Sequence, residues 1–320
     1  GRMLSRMKKI EVGIFTNVID NRKARGTALV ARRFLEQLHK YEDRFSFTLI
    51  HSTKTDDPLY TQHKEIIIPQ IPAPFARQLL SETFFWLKYR LVRRPRFDIF
   101  HYLHPRIWPS YLLTHARCIV VTAFDAGIMQ DLYKPSLGDR VFQWTNRFLN
   151  WRMDSLISCS ESGRQEIIKY YGVPGERVHS ILLGVDASFS PIAPLTARET
   201  VSNIYGIKEK YFLAVSRFDP HKNILRLIEA YERVREKHPA IHLVFVGGAH
   251  TPGYSEQVEA MIERLNAEHN TIHILPFVED VHFPALYSGA VALVYPSLHE
   301  GFGLPVVEAM ACGTPVITAN

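Results

Sequence analysis

Apolar and polar residues follow two alternating patterns along this chain. Short apolar runs rich in β-branched and aromatic residues predict buried strands, and segments with an apolar residue every three or four positions predict amphipathic helices. In the first part of the chain, the predicted strands are residues 10–16, 45–51, 65–68, 97–102, 117–122, 155–159 and 177–182. The alternation of strands and helices predicts an α/β fold with a parallel sheet that is covered on both faces.

A second α/β pattern follows a change in composition. Residues 187–200 contain two prolines and several small polar residues, which predicts a linker between domains. Beyond it, strands are predicted at 211–216, 242–247, 271–275, 291–295 and 315–318, and helices at 224–237, 257–268 and 283–288. We therefore predict a first domain over residues 1–186 and a second over residues 201–320.

Composition limits the classes of protein to consider. The chain has 320 residues, of which 46 % are hydrophobic, so it is long enough for two well-packed domains. Cys118, Cys159 and Cys312 lie far apart, which argues against a disulfide framework or a zinc site and predicts a reducing, cytoplasmic location. No signal peptide and no apolar run of the ~18 residues that a membrane-spanning helix needs is apparent.

Charge is distributed unevenly. Residues 1–186 contain 28 Lys and Arg against 18 Asp and Glu, a net charge of +10, and residues 187–320 contain 10 against 14, a net charge of −4. No signature of a nucleic-acid-binding domain is present, so nucleic acid is not expected as a partner. A basic first domain instead favours an anionic lipid surface or a phosphate-bearing acceptor.

The segment 75–96 combines basic and aromatic residues. Its five arginines and one lysine stand against a single acid, Glu82, with leucine, phenylalanine and tryptophan between them. This pattern is typical of a helix at a membrane surface, and it predicts peripheral membrane contact. It is equally typical of a domain helix whose apolar face joins the core, and the sequence leaves both interpretations open.

The segment 295–318 carries the most specific chemistry. A predicted strand ends at Tyr295, a loop contains Glu300, Gly301 and Gly303, and a helix containing Glu308 follows. Free amide groups and the helix dipole make such a helix start a favourable site for anions, and carboxylates nearby can accept hydrogen bonds from sugar hydroxyls. The loop therefore predicts a nucleotide-sugar site, although glycines and prolines are also ordinary at strand–helix junctions.

The run EGFGLPVVEAMACGTPVI, from Glu300 to Ile317, resembles the E-x7-E signature of retaining glycosyltransferases of group 1, or family 4. The resemblance covers nearly the whole chain. It implies the GT-B fold, in which two Rossmann-like domains face each other across a cleft. Members of this family normally continue beyond a strand such as 315–318, so the second domain is expected to be truncated at its C-terminus.

The resemblance assigns the donor site to the second domain. The run from Ser216 to Asn223 is similar to the family's G-R-x-x-x-x-K-N element, which implies that Arg217 and Lys222 bind the diphosphate and stabilise its departing charge. Glu308 is then expected to accept hydrogen bonds from ribose hydroxyls. Glu300 is expected to orient the donor sugar together with backbone amides of the loop that follows it. This loop contains Gly301, and the amides are those of Phe302, Gly303 and Leu304. The loop that contains Val278 loosely matches a loop that lies near the nucleotide base in this family.

In the first domain the match to the family is weaker. Gly26-Thr27 stands where the family usually has Gly-Gly, and we expect Gly26 to approach phosphate or acceptor. Phe124-Asp125 stands where His-Asp is common, so only Asp125 is expected as an acceptor contact. His101 and His104 could replace the missing histidine.

The expected reaction is transfer of a sugar from a nucleotide diphosphate sugar to a glycan or lipid-linked saccharide, with retained configuration and without metal or cofactor. GDP-mannose is the preferred donor, from a general likeness to mannosyltransferases of polysaccharide assembly, and UDP-sugars are the alternative. A sugar-nucleotide-binding protein without activity is a further alternative, as is a phosphorylase of the same fold. No G-x-G-x-x-G run is present, which argues against an oxidoreductase.

Overall fold

The structure is a computed structural model that describes residues 8–19, 26–52, 57–69, 77–91, 96–105, 110–124, 126–127 and 137–319. The chain divides into two compact units, Gly1–Leu183 and Gly184–Asn320. Each unit has its own parallel sheet and its own hydrophobic core.

The first unit contains a seven-stranded parallel sheet in the order β3-β2-β1-β4-β5-β6-β7. All seven strands predicted from the sequence are present within two residues of their predicted ends. Their bounds are β1 Ile10–Phe15, β2 Phe45–His51, β3 Lys64–Ile67, β4 Phe97–Tyr102, β5 Ala116–Thr122, β6 Ser155–Ser158 and β7 Val178–Ser180. Four consecutive residues of β1, from Val12 to Phe15, are buried, as expected for a strand covered on both faces.

Six described helices connect these strands. They are α1 Thr27–Glu36, α2 Pro58–Thr61, α3 Arg77–Leu91, α4 Ser110–Leu113, α5 Leu137–Phe148 and α6 Glu161–Tyr171. The Ser160 side chain accepts a hydrogen bond from the amide of Gly163 and caps α6. Trp86 of α3 is fully buried against Phe100 of β4, with 5.0 Å between ring centroids, which fixes α3 on the sheet.

The second unit contains a five-stranded parallel sheet in the order β10-β9-β8-β11-β12. Its strands are β8 Lys210–Val215, β9 Ile241–Val246, β10 Ile272–Leu275, β11 Ala292–Tyr295 and β12 Val316–Thr318. Its helices are α7 Pro194–Tyr205, α8 Ile224–Lys237, α9 Tyr254–His269, α10 Phe283–Gly289 and α11 Leu304–Ala311. Chain order runs outward from β8 to β10 and then returns to β11, so the direction of the sheet connections reverses between β8 and β11.

The segment interpreted as a linker is only partly one. Residues 194–200 form the first half of α7 and belong to the second unit, whose division from the first falls after Leu183. Pro194 occupies the start of this helix, where a missing amide hydrogen costs nothing. Ala197 is buried there, as is Val201 in the next turn, so this part of the predicted linker contributes to the core.

Candidate functional site

The site in the second unit lies where the sheet order reverses. In open parallel sheets, ligands bind outside the carboxyl ends of the strands at this reversal, because loops from neighbouring strands diverge there. The loop after β8 supplies Arg217 and Lys222, and the loop after β11 supplies Glu300. The sheet therefore brings together residues that are nearly eighty positions apart in sequence.

Lys222 and Glu300 form an ion pair at the centre of this site. The Lys222 ammonium contacts Glu300 Oε1 directly, and the two side chains are 14 % and 26 % exposed. The ammonium also donates to the Tyr295 hydroxyl at 3.2 Å and lies 5.3 Å from the centre of its ring. Burial, the Glu300 charge and a hydrogen bond to Glu300 raise the pKa of Tyr295, so this phenol stays protonated.

Hydrogen bonds join the two loops around this ion pair. The amide of Leu298 donates to the carbonyl of His221 at 2.7 Å, and the Asn223 side chain donates to the carbonyl of Pro296 at 3.3 Å. Asn223 adopts a left-handed conformation with φ 58°, which asparagine tolerates better than most residues. The two loops thus form one structural unit before any ligand binds.

Arg217 lies on the outer side of the site and is held by two residues. Its guanidinium lies 3.2 Å from Asp219 Oδ2 and donates to His250 Nε2 at 3.0 Å. His250 Nδ1 lies 2.8 Å from Asp219 Oδ1. Because Nε2 accepts from arginine, the proton of the neutral ring must reside on Nδ1 and point to Asp219.

The Asp219 carboxyl, which contacts both Arg217 and His250, remains ionised. Burial alone would raise the pKa of its carboxyl, but hydrogen bonds from Thr251 and His250 and the Arg217 charge lower that pKa overall. Gly247 has φ 122°, and a β-carbon there would collide with the carbonyl oxygen of Ser216. Because position 247 is a glycine, the neighbouring loop can approach closely enough for these contacts. The carboxylate therefore anchors the arginine from below.

The start of α11 contains the glycine and the proline on which the predicted anion site depends. Gly303 is the residue before the helix and has φ 84°, and Pro305 lies within its first turn. The described part of the chain offers no acceptor to the amides of Phe302, Gly303 and Leu304. These amides lie at the start of α11, at the positive end of its helix dipole.

Glu308 lies one turn into α11 and has a partner that the sequence did not reveal. The Tyr287 hydroxyl donates to Glu308 Oε2 at 2.7 Å. Tyr287 is fully buried, and burial together with the Glu308 charge raises its pKa strongly. The phenol therefore remains a donor and fixes the orientation of the carboxylate.

Val278 does not present its side chain to this site. It is 2 % exposed and belongs to the core of the second unit, next to Phe283 and Leu286. Its neighbour Phe277 is 61 % exposed. Any contact of Val278 with a base would therefore involve its backbone.

The structure describes only some of the site residues that were predicted in the first unit. Gly26 precedes α1 with φ 65°, and a β-carbon at this position would meet no atom within 4 Å, which leaves open space beside it. Asp125 lies outside the described residues. A cavity of about 70 Å³ at the carboxyl ends of β4 and β5 is lined by His104 and Phe124, among others.

Only one of the two substitute histidines faces this cavity. His101 instead lies 2.8 Å from the Thr122 hydroxyl, and burial lowers the pKa of its ring to about 4. His104 lines the cavity, and its Nδ1 lies 2.9 Å from the carbonyl of Pro105. The geometry therefore favours His104 over His101 as a group that could meet an acceptor.

Two parallel α/β units, the second with cations and carboxylates at its switch point, have the architecture of the GT-B fold. Residues 24–189 match the model of Glycosyltransferase Family 4, and residues 197–320 match that of Glycosyl transferases group 1. The chain belongs to this family of glycosyltransferases, as the E-x7-E run predicted.

Curated relatives resemble part of the chain. It is 30 % identical over 217 residues to O-antigen chain mannosyltransferase B of Escherichia coli, covering 66 % of this chain and 56 % of that protein. It is 33 % identical over 172 residues to O-antigen chain mannosyltransferase RfbU of Salmonella typhimurium strain LT2, covering 53 % and 43 %. The chain thus spans about half the length of these two relatives.

Solved structures show the same fold. Sucrose-phosphate synthase from Thermosynechococcus elongatus matches with a TM-score of 0.73 at 21 % identity, covering 97 % of this chain and 81 % of that one. HepE of Anabaena, solved with UDP and glucose, matches with a TM-score of 0.69 at 19 % identity, covering 97 % and 80 %. These matches confirm the predicted fold class of two Rossmann-like domains.

Two features are absent from the described residues. No described helix is long and apolar enough to cross a bilayer. Within the same residues, no group of three or more histidine, cysteine, aspartate or glutamate side chains is arranged to hold a metal ion.

Proposed function

We propose that this protein is a retaining glycosyltransferase that moves a sugar from a nucleotide diphosphate sugar to a hydroxyl of a glycan or lipid-linked saccharide. The observation that carries the proposal is the ion pair of Lys222 and Glu300 at the switch point of the second sheet. A cation and a carboxylate held side by side suit a substrate that has a diphosphate next to sugar hydroxyls.

In this reaction the bond between the anomeric carbon and the diphosphate oxygen breaks, and a bond to the acceptor oxygen forms on the same face. The acceptor proton passes to the leaving diphosphate, which departs as nucleoside diphosphate. Arg217 and Lys222 neutralise the charge that develops on the leaving group. Neither an enzyme nucleophile nor a metal or other cofactor is required by this proposal, and EDTA is expected to leave the rate unchanged.

The carboxylates have separate parts in the proposal. Glu300 exchanges part of its contact with Lys222 for the donor sugar, while the ammonium turns toward the diphosphate. Glu308, oriented by Tyr287, accepts from ribose hydroxyls. The amides of Phe302, Gly303 and Leu304, at the start of α11, complete the donor contacts.

GDP-mannose is the proposed donor, because the two curated relatives from Escherichia coli and Salmonella are named as O-antigen chain mannosyltransferases. UDP-sugars are the alternative. Thermal unfolding in the presence of GDP, UDP, ADP or CMP tests the choice, since a ligand that binds only the folded protein raises its unfolding temperature. A shift with GDP alone supports the proposal, a shift with UDP alone names the alternative, and no shift with any nucleotide contradicts the whole function.

A sugar-nucleotide-binding protein without activity would retain the cations but would not need Glu300. The variant Glu300→Gln separates these functions. Loss of sugar transfer with unchanged nucleotide affinity supports the enzyme. A wild-type protein that binds nucleotide and neither transfers nor hydrolyses any donor sugar supports the binding protein.

We also propose that the protein works at an anionic membrane surface inside the cell, with α3 in contact. Trp86 and Tyr89 of α3 are buried, whereas Phe84, Leu87 and Leu91 are 59 %, 44 % and 81 % exposed. One apolar face of α3 therefore joins the core, and its exposed apolar side chains support the proposed membrane contact. Reduced flotation of a Phe84→Ser, Leu87→Ser variant with anionic vesicles would support this contact, and unchanged flotation would contradict it.

A further inference from the structure

A basic cavity lies in the first unit, away from the residues assigned to donor or acceptor. Its volume is about 350 Å³, and it is lined by Arg90, Arg96, Thr114, His115, Ala116 and Arg152. The end of α3, the starts of β4 and β5, and the short helix Asn150–Arg152 surround it. Three guanidinium groups therefore converge from three different elements.

None of these arginines is paired with a carboxylate in the part of the chain that the structure describes. Among the described residues, no aspartate or glutamate oxygen lies within 4.0 Å of Arg90, Arg96 or Arg152. Arg90 donates to the carbonyls of Leu112 and Thr114 at 3.3 and 3.4 Å, which fixes its guanidinium at the cavity wall. The pKa of the His115 ring is lowered by burial and by the charges of Arg90 and Arg96, which reflects a positive potential in the cavity.

The cavity lies at the opposite edge of the sheet from the loops expected to meet the acceptor. Arg96 immediately precedes β4 and His115 immediately precedes β5, whereas the loops carrying His104 and Phe124 follow these strands. A strand of six or seven residues rises about 3.3 Å per residue, which separates the two edges by roughly 20 Å. An anion in the cavity is therefore too distant to be the phosphate of a substrate bound at the other edge.

Exposed aromatic and aliphatic side chains occur on α3 and on the short helix Asn150–Arg152, which line the cavity, and on α5, which precedes that short helix. Trp144 and Phe148, four residues apart on one face of α5, are each 59 % exposed, and Trp151 of the following short helix Asn150–Arg152 is also 59 % exposed. Leu91, next to Arg90 in sequence, is 81 % exposed. Exposed tryptophan beside arginine is typical of the interface between membrane and water.

We infer that this edge of the first unit docks on an anionic phospholipid bilayer, with a headgroup phosphate in the arginine cavity and Leu91, Trp151 and Phe148 among the headgroups. Guanidinium groups bind phosphate oxygens in pairs, and each basic group near an anionic surface adds to the affinity. A free phosphate ion would use the cavity but not the apolar side chains beside it, which is why a lipid is the occupant. The inference rests on the membrane contact proposed for α3 and is independent of sugar transfer.

The test uses Arg152, because its side chain has no hydrogen-bond partner among the described residues and its replacement is least disruptive. Wild-type protein, Arg152→Glu, Trp151→Ser and the matched control Arg233→Glu, an exposed arginine of α8, are sedimented with vesicles. The vesicles contain phosphatidylcholine alone or with phosphatidylglycerol. An unfolding temperature equal to that of the wild type shows that each variant is folded. The rise in this temperature when nucleotide is added measures the donor site separately.

The expected result is binding to the anionic vesicles only, weakened roughly 30-fold by Arg152→Glu and severalfold by Trp151→Ser, with little change in the control. Equal weakening by Arg233→Glu would show a response to net charge only and would overturn the inference. Unchanged binding of Arg152→Glu would also overturn it. So would a thermal shift with inorganic phosphate that Arg152→Glu abolishes in a protein that ignores all vesicles, since the cavity would then serve a soluble phosphate.

Discussion

Lys222 and Glu300 meet at the carboxyl ends of the neighbouring strands β8 and β11, although 78 positions separate them in the chain. The contact also draws in Tyr295, the last residue of β11, whose hydroxyl accepts from the same ammonium. In the absence of donor, each charge is thus the main partner of the other. A ligand that binds here must replace this contact with one at least as favourable.

We expect Lys222→Met to reduce sugar transfer at least ~100-fold, because it removes a charge that stabilises the leaving diphosphate. Nucleoside diphosphate affinity should fall as well. Steady-state transfer rates and calorimetric titration measure the two effects. The control is Lys237→Met, which removes an exposed lysine at the end of α8. Equal activity of Lys222→Met and wild type would rule out the assigned role.

His250→Phe is expected to raise the KM for the donor roughly tenfold, the effect of losing a hydrogen bond to a charged group. The imidazole ring accepts a hydrogen bond from Arg217 and donates one to Asp219, so its removal leaves the guanidinium with one partner fewer. His238→Phe, an exposed histidine in the same unit, is the control. Nitrogen chemical shifts should show the proton of His250 on Nδ1; a proton on Nε2 would refute the arrangement.

Tyr287→Phe should destabilise the second unit by about 1.5–3 kcal/mol, because Glu308 loses a buried donor. Nucleotide affinity should fall severalfold, since the carboxylate then loses one of the contacts that orient it. Urea unfolding and titration with nucleoside diphosphate measure these changes. Tyr205→Phe removes a hydroxyl that contacts His282 instead, and it should lower stability without lowering affinity. If both variants bind nucleotide equally well, Tyr287 does not orient Glu308.

Stability is expected to fall as the pH falls from about 6.5 to about 4. The unfolded chain binds a proton on His101 near pH 6.5, whereas burial holds the folded-state pKa at about 4. The folded protein therefore binds fewer protons in this window and loses up to ~3 kcal/mol across it, an upper limit because the residue is only partly buried.

Urea unfolding at pH 7 and pH 5 for wild type and His101→Gln isolates this contribution. The variant should lose less stability on acidification, although the lowered pKa values of His63, His221 and His273 keep some dependence. His179→Gln, an exposed histidine, should behave as wild type. An identical pH response in His101→Gln would show that this ring does not contribute.

The strands and most helices could be predicted because their apolar periodicity is local. Helix α8 has its predicted bounds, and β4 and β2 agree residue for residue. The linker prediction was wrong over residues 194–200, because two prolines were interpreted as a break. Pro194 in fact begins a helix, and the apolar residues that follow it on one face could have indicated this.

The partners of the predicted site residues could not be found in the same way. Tyr287, His250 and Asp219 act through tertiary contacts, and no local pattern distinguishes them from ordinary core or loop residues. The contact between Lys222 and Glu300 could have been predicted, because the strand order of such sheets places β11 beside β8. What spacing alone cannot supply is which oxygen faces which nitrogen.

Gly247 carries a consequence for mutational scanning of this protein. Any side chain there would push against the carbonyl of Ser216, and so displace the loop that presents Arg217. A substitution at position 247 would then appear in an activity screen as damaging as one in a donor contact. Maps of functional positions in this family of sheets will contain such false positives wherever a glycine supports a ligand-binding loop from the neighbouring strand.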